Sequence, residues 1–230
     1  MSPLPVTSEY LMSALQDGYK LEATTLFHHH IGDLILPTGQ LVACDPFALP
    51  DSPPFKLTMP RGTFPLILSI AQIKTDQRVA FAIVQLGQTV PATWEMLTIG
   101  SQDISTLKEG ELFGYGVDAG TGCFMDLSAS RALAKRMSEQ QDFYETLMAE
   151  MDKTYKNTWS WLDVKFGEGN LIAFSSGFGD GVYATYAGRD FDGHVSVVLT
   201  DFGVLPIEKP SRKTDRRTFS SFFTGLLGKK

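Results

Sequence analysis

Five acids at turn-like positions, Asp118, Asp126, Glu168, Asp180 and Asp201, are the residues of this chain best suited to chemistry. Two or three carboxylates brought within about 4 Å of one point would bind Mg²⁺ or Ca²⁺ through oxygen and ready a water for phosphoester hydrolysis. Asp118, Asp180 and Glu168 would then be the catalytic groups, with Asp118, Asp126 and Asp180 as ligands of a divalent metal. The competing account is structural. Asp is a common turn residue because its side chain bonds nearby backbone N–H groups, and Asp126 is placed to help start a helix. No Asp-x-Asp-x-Asp-Gly spacing links the five, so any shared site must be assembled by the fold.

A second feature is the corner Ser175-Ser176-Gly177-Phe178-Gly179-Asp180-Gly181. Its glycines can adopt positive φ or let a ligand approach the backbone closely. Ser175, Ser176, Gly177 and Asp180, with Tyr183 and Asn170 nearby, are therefore the expected binding residues. Asp118-Ala119-Gly120-Thr121-Gly122 superficially resembles the phosphate turns of actin-like ATPases and the Asp-Thr-Gly of aspartic proteases. No second Asp-Thr/Ser-Gly follows, and the further glycine-rich motifs of an actin-like fold are missing. A short Gly-rich corner joining two strands accounts for it better.

Nucleophiles are few. Cys123, just ahead of a helix, could be activated with His194 as base, yet its neighbours Phe124 and Met125 suit a small buried hydrophobe. Ser176 lacks the Gly-x-Ser-x-Gly elbow. Of His28-His29-His30, a strand would turn only His28 and His30 to one face, and no third metal ligand is evident.

Positioning these groups falls to strands. Ser8 to Gln16 reads as a short helix and Tyr19 to Phe27 as a strand. Asp33 to Val42 reads as a tight hairpin through Pro37-Thr38-Gly39, and residues 45–54 as a proline-rich loop. Phe64 to Ile73 and Arg78 to Leu86 form an antiparallel hairpin. Tyr115 to Asp118 and Thr121 to Met125 flank Ala119-Gly120. The spacing of Leu133, Met137, Tyr144, Leu147, Met148, Met151 and Tyr155 predicts one long helix over about 128–156, capped by Ser128. Trp159 to Val164 reads as a further strand. Three more, over 171–175, 181–189 and 194–201, follow in a row, the last two joined at Asp192-Gly193. The expected class is α+β, a mostly antiparallel sheet or sandwich with that amphipathic helix packed on it.

The chain has 230 residues, 43% hydrophobic, with two Cys that lack C-x-x-C spacing. That length suits one large β-rich domain without a disulfide scaffold. A start lacking a basic, apolar leader and the absence of a long apolar run predict a cytoplasmic protein with no transmembrane segment. Net charge −6 argues against nucleic acid as a partner. The charge is uneven. From Glu208 to Lys230 seven Lys/Arg oppose two acids, a charge of +5, so the remaining residues carry −11. Phe219, Phe222, Phe223, Leu226 and Leu227 in this tail fall on one face if helical. The tail could dock on the acidic body, on a partner protein or, weakly, on an anionic membrane.

Several phrases carry a resemblance: LILPTGQLVACDPF (34–47), RGTFPLILSIA (61–71), GYGVDAGTGCFMD (114–126), GEGNLIAFSSGFGDGVYATYAG (167–188) and VLTDF (198–202). Together, in register from about Leu34 to Leu205, they resemble the bacterial domain-of-unknown-function family numbered 4241. The resemblance implies no established activity. It supports one β-rich domain over 1–207, with 208–230 as a basic amphipathic tail. The functional expectation is a non-catalytic protein-binding domain, of adaptor or immunity type. The alternative is a metal-assisted hydrolase built on the carboxylates.

Overall fold

The computed structural model describes residues 4–140 and 142–206. After helix α1 (Ser8–Ser13), two strands, β1 (Lys20–Leu21) and β2 (Thr24–Leu36), form a hairpin. Next come β3 (Leu41–Cys44), β4 (Gly62–Ile73), β5 (Asp76–Gln85) and β6 (Thr93–Met96). A 3₁₀ turn at Ile104–Thr106 leads to β7 (Tyr115–Val117) and β8 (Thr121–Asp126). Helices α2 (Leu127–Glu139) and α3 (Phe143–Asp152) then precede β9 (Trp161–Phe166) and β10 (Gly169–Ser175). The remaining strands are β11 (Gly181–Tyr183), β12 (Thr185–Arg189) and β13 (Val195–Asp201).

All strand pairs are antiparallel. They make a seven-stranded sheet ordered β1-β2-β4-β5-β13-β12-β6, a four-stranded sheet β3-β8-β10-β9 and a ribbon β11-β7. The α+β expectation holds in this broad form.

Period-two alternation explains how the smaller sheet sits between two apolar layers. Leu41, Ala43, Phe124, Ile172 and Phe174 point toward the large sheet and join its core. Their sequence neighbours Val42, Cys44, Cys123, Met125, Leu171 and Ala173 point the other way, toward Leu133, Phe143, Leu147 and Met151 of the helices. Every residue of β3 and β8 is consequently buried. The large sheet is covered on its far side near α1, where the Tyr10 ring meets Phe81 edge-on at 5.6 Å. Removing a ring from the middle, as in Phe174→Ala, should cost about 3–5 kcal/mol.

The structure corrects five details. The expected long helix is two helices, because Gln140 takes an extended conformation (φ −135°, ψ 102°) between them. The interruption re-phases the second segment, so Phe143, Leu147 and Met151 face the core while Tyr144 and Tyr155 are exposed. Asp126, not Ser128, is the N-cap of α2. Residues 33–42 do not form a hairpin: β2 pairs with β1 and β4, whereas β3 pairs with β8 in the other sheet. Pro37 to Gln40 is therefore a crossing between sheets, where a Cβ on Gly39 (φ +75°) would collide with the Met59 carbonyl. Finally, residues 19–27 fold into the β1–β2 hairpin through Glu22 at positive φ, and residues 181–189 divide into β11 and β12.

Candidate functional site

Antiparallel pairing of β8 with β10 sets Ser175 opposite Thr121 at one end and Leu171 opposite Met125 at the other. The first end is the rim where the two glycine-rich corners meet. The Ser176 amide donates to the Gly120 carbonyl at 3.1 Å, and the Gly120 amide donates to Asp180 Oδ1 at 3.0 Å. Ribbon pairing of Gly181 with Val117 places Asp118 and Asp180 at the same end of β7 and β11. Both acids are exposed.

The other expected residues separate from these. Asp126 and Glu168 lie at the far end of β8 and β10, six strand steps or about 20 Å away. Asp126 is buried, accepting from Thr38 N–H (3.0 Å), Thr38 Oγ1 and the amide and hydroxyl of Ser128. Asn170, also at that end, is consumed internally: its Oδ1 accepts from Ile35 and its Nδ2 donates to Asp33 O and Asp163 Oδ1. The five-carboxylate cluster is therefore not assembled, since strand length keeps its members apart.

Within the corner the polar groups are spent on the turn itself. Ser176 Oγ donates to Gly179 O at 2.8 Å, and Tyr183 Oη donates to the same carbonyl at 2.7 Å. The Ser160 amide donates to Ser175 Oγ at 3.0 Å. Gly177 (φ +53°) lies against Phe202 so closely that a Cβ would approach its Cβ to 2.9 Å. Burial, with the Asp180 charge beside it, pushes the Tyr183 phenol up from its usual value. Asp201 turns its side chain to the α1 side of the sheet, where Tyr10 Oη donates to it at 3.1 Å. Burial raises that carboxyl to about 6, partly opposed by the Gly203 amide and Tyr10 hydroxyl bonds.

What organises the rim is a residue the spacing of motifs did not single out, Asp45. Fully buried, it accepts Phe47 and Ala48 amides on Oδ1 at 2.9 and 3.2 Å. On Oδ2 it accepts Asp118 and Ala119 amides at 2.9 and 2.6 Å. Its signal was an Asp opening a proline-rich loop, a position where Asp bonds the backbone two residues on. This clamp brings Leu49 over Gly116, with 3.7 Å from a leucine methyl to where a Cβ would sit. Gly116 pairs with Val182 on the ribbon. Leu49 and Val182 are 49% and 59% exposed, and Phe178 on the corner is 63% exposed under the Arg78 guanidinium at 5.4 Å.

The nucleophile and histidine readings find no supporting arrangement. The Cys123 thiol is buried 3.6 Å from Cys44 Sγ, and burial raises it well above the usual thiol value. His194 lies on the exposed β12–β13 turn, in contact with Asp190. His28 bonds Ala14 O and His30 bonds Asp33, so the two have separate partners. His29 instead packs edge-on against Trp159 and Trp161, and burial lowers its proton affinity. Lys156 Nζ caps this stack 4.4 Å from the Trp159 ring. Among the described residues, three acidic or histidine ligand atoms within 4.8 Å of one another occur at Asp190, Asp192 and His194. There Asp190 is already engaged by Thr89 Oγ1 and the amides of Asp192 and His194.

The family described as a protein of unknown function, DUF4241, matches residues 34–200. The chain belongs to that family. No curated protein and no solved structure matches it. In this DUF4241 member the matched region contains the Asp45 clamp, both corners and the ribbon. Among the described residues no helix is long and apolar enough to cross a membrane. The tail residues Phe219, Phe222, Phe223, Leu226 and Leu227 lie outside the described residues.

Proposed function

We propose that this DUF4241 chain is a non-catalytic protein-binding domain of the bacterial cytoplasm, of adaptor or immunity type. Its partner docks on the rim ribbon around Leu49, Gly116 and Val182. The observation that carries this reading is the exposed apolar pair Leu49 and Val182, with Leu49 lying over Gly116 on a backbone pinned by Asp45. A pre-fixed apolar strip loses little entropy on binding. Phe178 under Arg78 adds residue types that anchor protein interfaces. The polar atoms of the corner are bonded to each other, which leaves shape and apolar contact as what the rim offers. Body charge of −11 disfavours nucleic acid.

The test is a photo-crosslinking residue at Val182, compared with one at Phe191 on the far end of the large sheet, in the native cytoplasm. The reading expects one discrete adduct at 182, competed by added unlabelled protein and absent at 191. The metal-assisted hydrolase alternative, using Asp118 and Asp180, expects something else. It requires a rise in Tm with Mn²⁺ or Ca²⁺ that Asp180→Ala abolishes.

A further inference from the structure

We infer that the outer edge of β9, toward the end of the small sheet remote from the rim, takes up an extended acidic peptide segment of a partner protein as an added strand. The pairing phase fixes which backbone groups are free. Phe166 and Gly169 close the β9–β10 hairpin across the turn Gly167-Glu168, so Phe166, Val164 and Leu162 exchange their backbone bonds with β10. The amides and carbonyls of Lys165, Asp163 and Trp161 therefore point out of the sheet, in which β9 is the last strand. Trp161 bears this phase out. Its outward amide donates to Thr154 Oγ1 at 2.8 Å, and its carbonyl accepts from the same hydroxyl. Among the described residues, nothing bonds the outward backbone groups of Asp163 and Lys165. These two residues, about 7 Å apart along the strand, offer two donors and two acceptors to one short added strand.

The neighbouring cleft states what that strand must carry. Between β9 and the C-terminal half of α2 lies a cavity of about 480 Å³. Val164 and Phe166 line it from the face that β9 turns to the helices. Lys135, Arg136 and Lys165 line it too, against one acid among the described lining residues, Glu139. Lys135 is 75% exposed and 3.8 Å from Glu139, while the Arg136 guanidinium sits over the Phe143 ring at 5.3 Å. The cleft is thus cationic on a body whose net charge is −11. Apolar floor, surplus cations and an open strand edge are together complementary to a strand whose side chains alternate between apolar and acidic. Lys165 on the edge also opposes indiscriminate pairing, which makes the acids the selective feature. The chain's own tail, +5 from Glu208 to Lys230, has the wrong sign for this cleft. The inference is independent of the rim reading, since it uses another surface.

The probe is a dye-labelled nonapeptide of alternating aspartate and valine, titrated with the full chain and followed by fluorescence anisotropy. It should bind, and its lysine–valine counterpart should not. Lys135→Glu with Arg136→Glu should weaken binding by roughly tenfold or more, whereas Lys20→Glu, exposed on β1 of the other sheet, should leave it unchanged. Strand addition has its own readouts in the unaltered chain. The acidic peptide should slow hydrogen exchange at the Asp163 and Lys165 amides several-fold, and a fully N-methylated peptide of the same sequence, which cannot donate to an edge, should not bind. Absence of binding by the acidic peptide overturns the inference, as does undiminished binding to the Lys135→Glu, Arg136→Glu chain. Equal binding of the N-methylated peptide overturns it too, because charge alone would then be read. Protection of the two amides that rises with protein concentration in the absence of peptide overturns it in favour of a second copy. Crosslinked adducts at Val182 should be the same with and without the nonapeptide, so this inference and the rim reading can fail separately.

Discussion

Asp45 Oδ2 accepts the Ala119 amide at 2.6 Å across 74 positions of sequence. The same carboxylate takes three further amides, two from its own loop and one from Asp118. One buried side chain thus fixes the loop bearing Leu49 to the end of β7. Its acceptor sites are saturated by backbone donors, which suits it to holding the rim rather than to metal or proton chemistry.

Asp45→Ala should leave four amides without their acceptor and lower stability by about 3 kcal/mol, read as a shift of the urea midpoint. Asp45→Asn should be nearly as damaging. Its oxygen can serve one pair of amides, while its NH₂ group then faces the other pair, donor against donor. Hydrogen exchange at Phe47, Ala48, Asp118 and Ala119 should accelerate in both variants. A fully stable Asn variant would show that the four bonds do not hold the rim.

Gly177 and Gly179 share a corner yet should respond differently to alanine. Both have positive φ, +53° and +117°. A Cβ at 177 also meets Phe202 Cβ at 2.9 Å and the Phe202 carbonyl at 3.0 Å, whereas one at 179 meets nothing within 4 Å. Gly177→Ala should therefore cost roughly 3 kcal/mol from strain plus overpacking, and Gly179→Ala about 1–2 kcal/mol from strain alone. Thermal unfolding of the two variants checks the order.

Strands were legible where alternation and turn residues agreed, as in the β4–β5 hairpin and at Asp192-Gly193. Sheet membership was not. Leu34 and Leu41 look like neighbours across Pro37-Thr38-Gly39, but they bond to different sheets, a choice made by partners 30 and 85 residues further on, Phe64 and Asp126. The long helix misled because Leu133, Met137 and Tyr144 keep helical phase across a break that no Gly or Pro announces. At the site, Asp118 and Asp180 could be paired in thought because both stand at glycine corners. Asp126 and Glu168 could not be ruled out of that pair without the direction of β8 and β10. Asp45 escaped because its partners at 118 and 119 are brought to it by tertiary folding alone.

Cys123 should be inert in the native protein. Its thiol is buried against Cys44, and burial disfavours the thiolate that any nucleophilic role needs. An aromatic disulfide reagent at neutral pH should titrate no thiol in the folded chain and two once denaturant is added. Rapid reaction of one thiol before unfolding would restore a nucleophile to consideration.

Asp201 gives the fold a pH dependence of defined sign. Tyr10 from α1, Tyr186 from β12 and the Gly203 amide face its carboxyl, whose burial raises it from 3.8 to about 6. Because the folded state holds this proton more tightly than the unfolded chain, its stabilising contribution is complete below pH 3.8 and is lost as pH climbs through 6. Asp201→Asn keeps an oxygen for Tyr10 and Gly203 while removing the charge. The variant should match the parent near pH 4, gain on it between 4 and 6, and be more stable by on the order of 2 kcal/mol at pH 7.5, a value reduced from the full shift because the residue is partly exposed. Urea midpoints at pH 4 and 7.5 decide the matter. A gain of equal size at both values would mean that the asparagine acts by packing, and that the buried charge is not what the parent fold opposes.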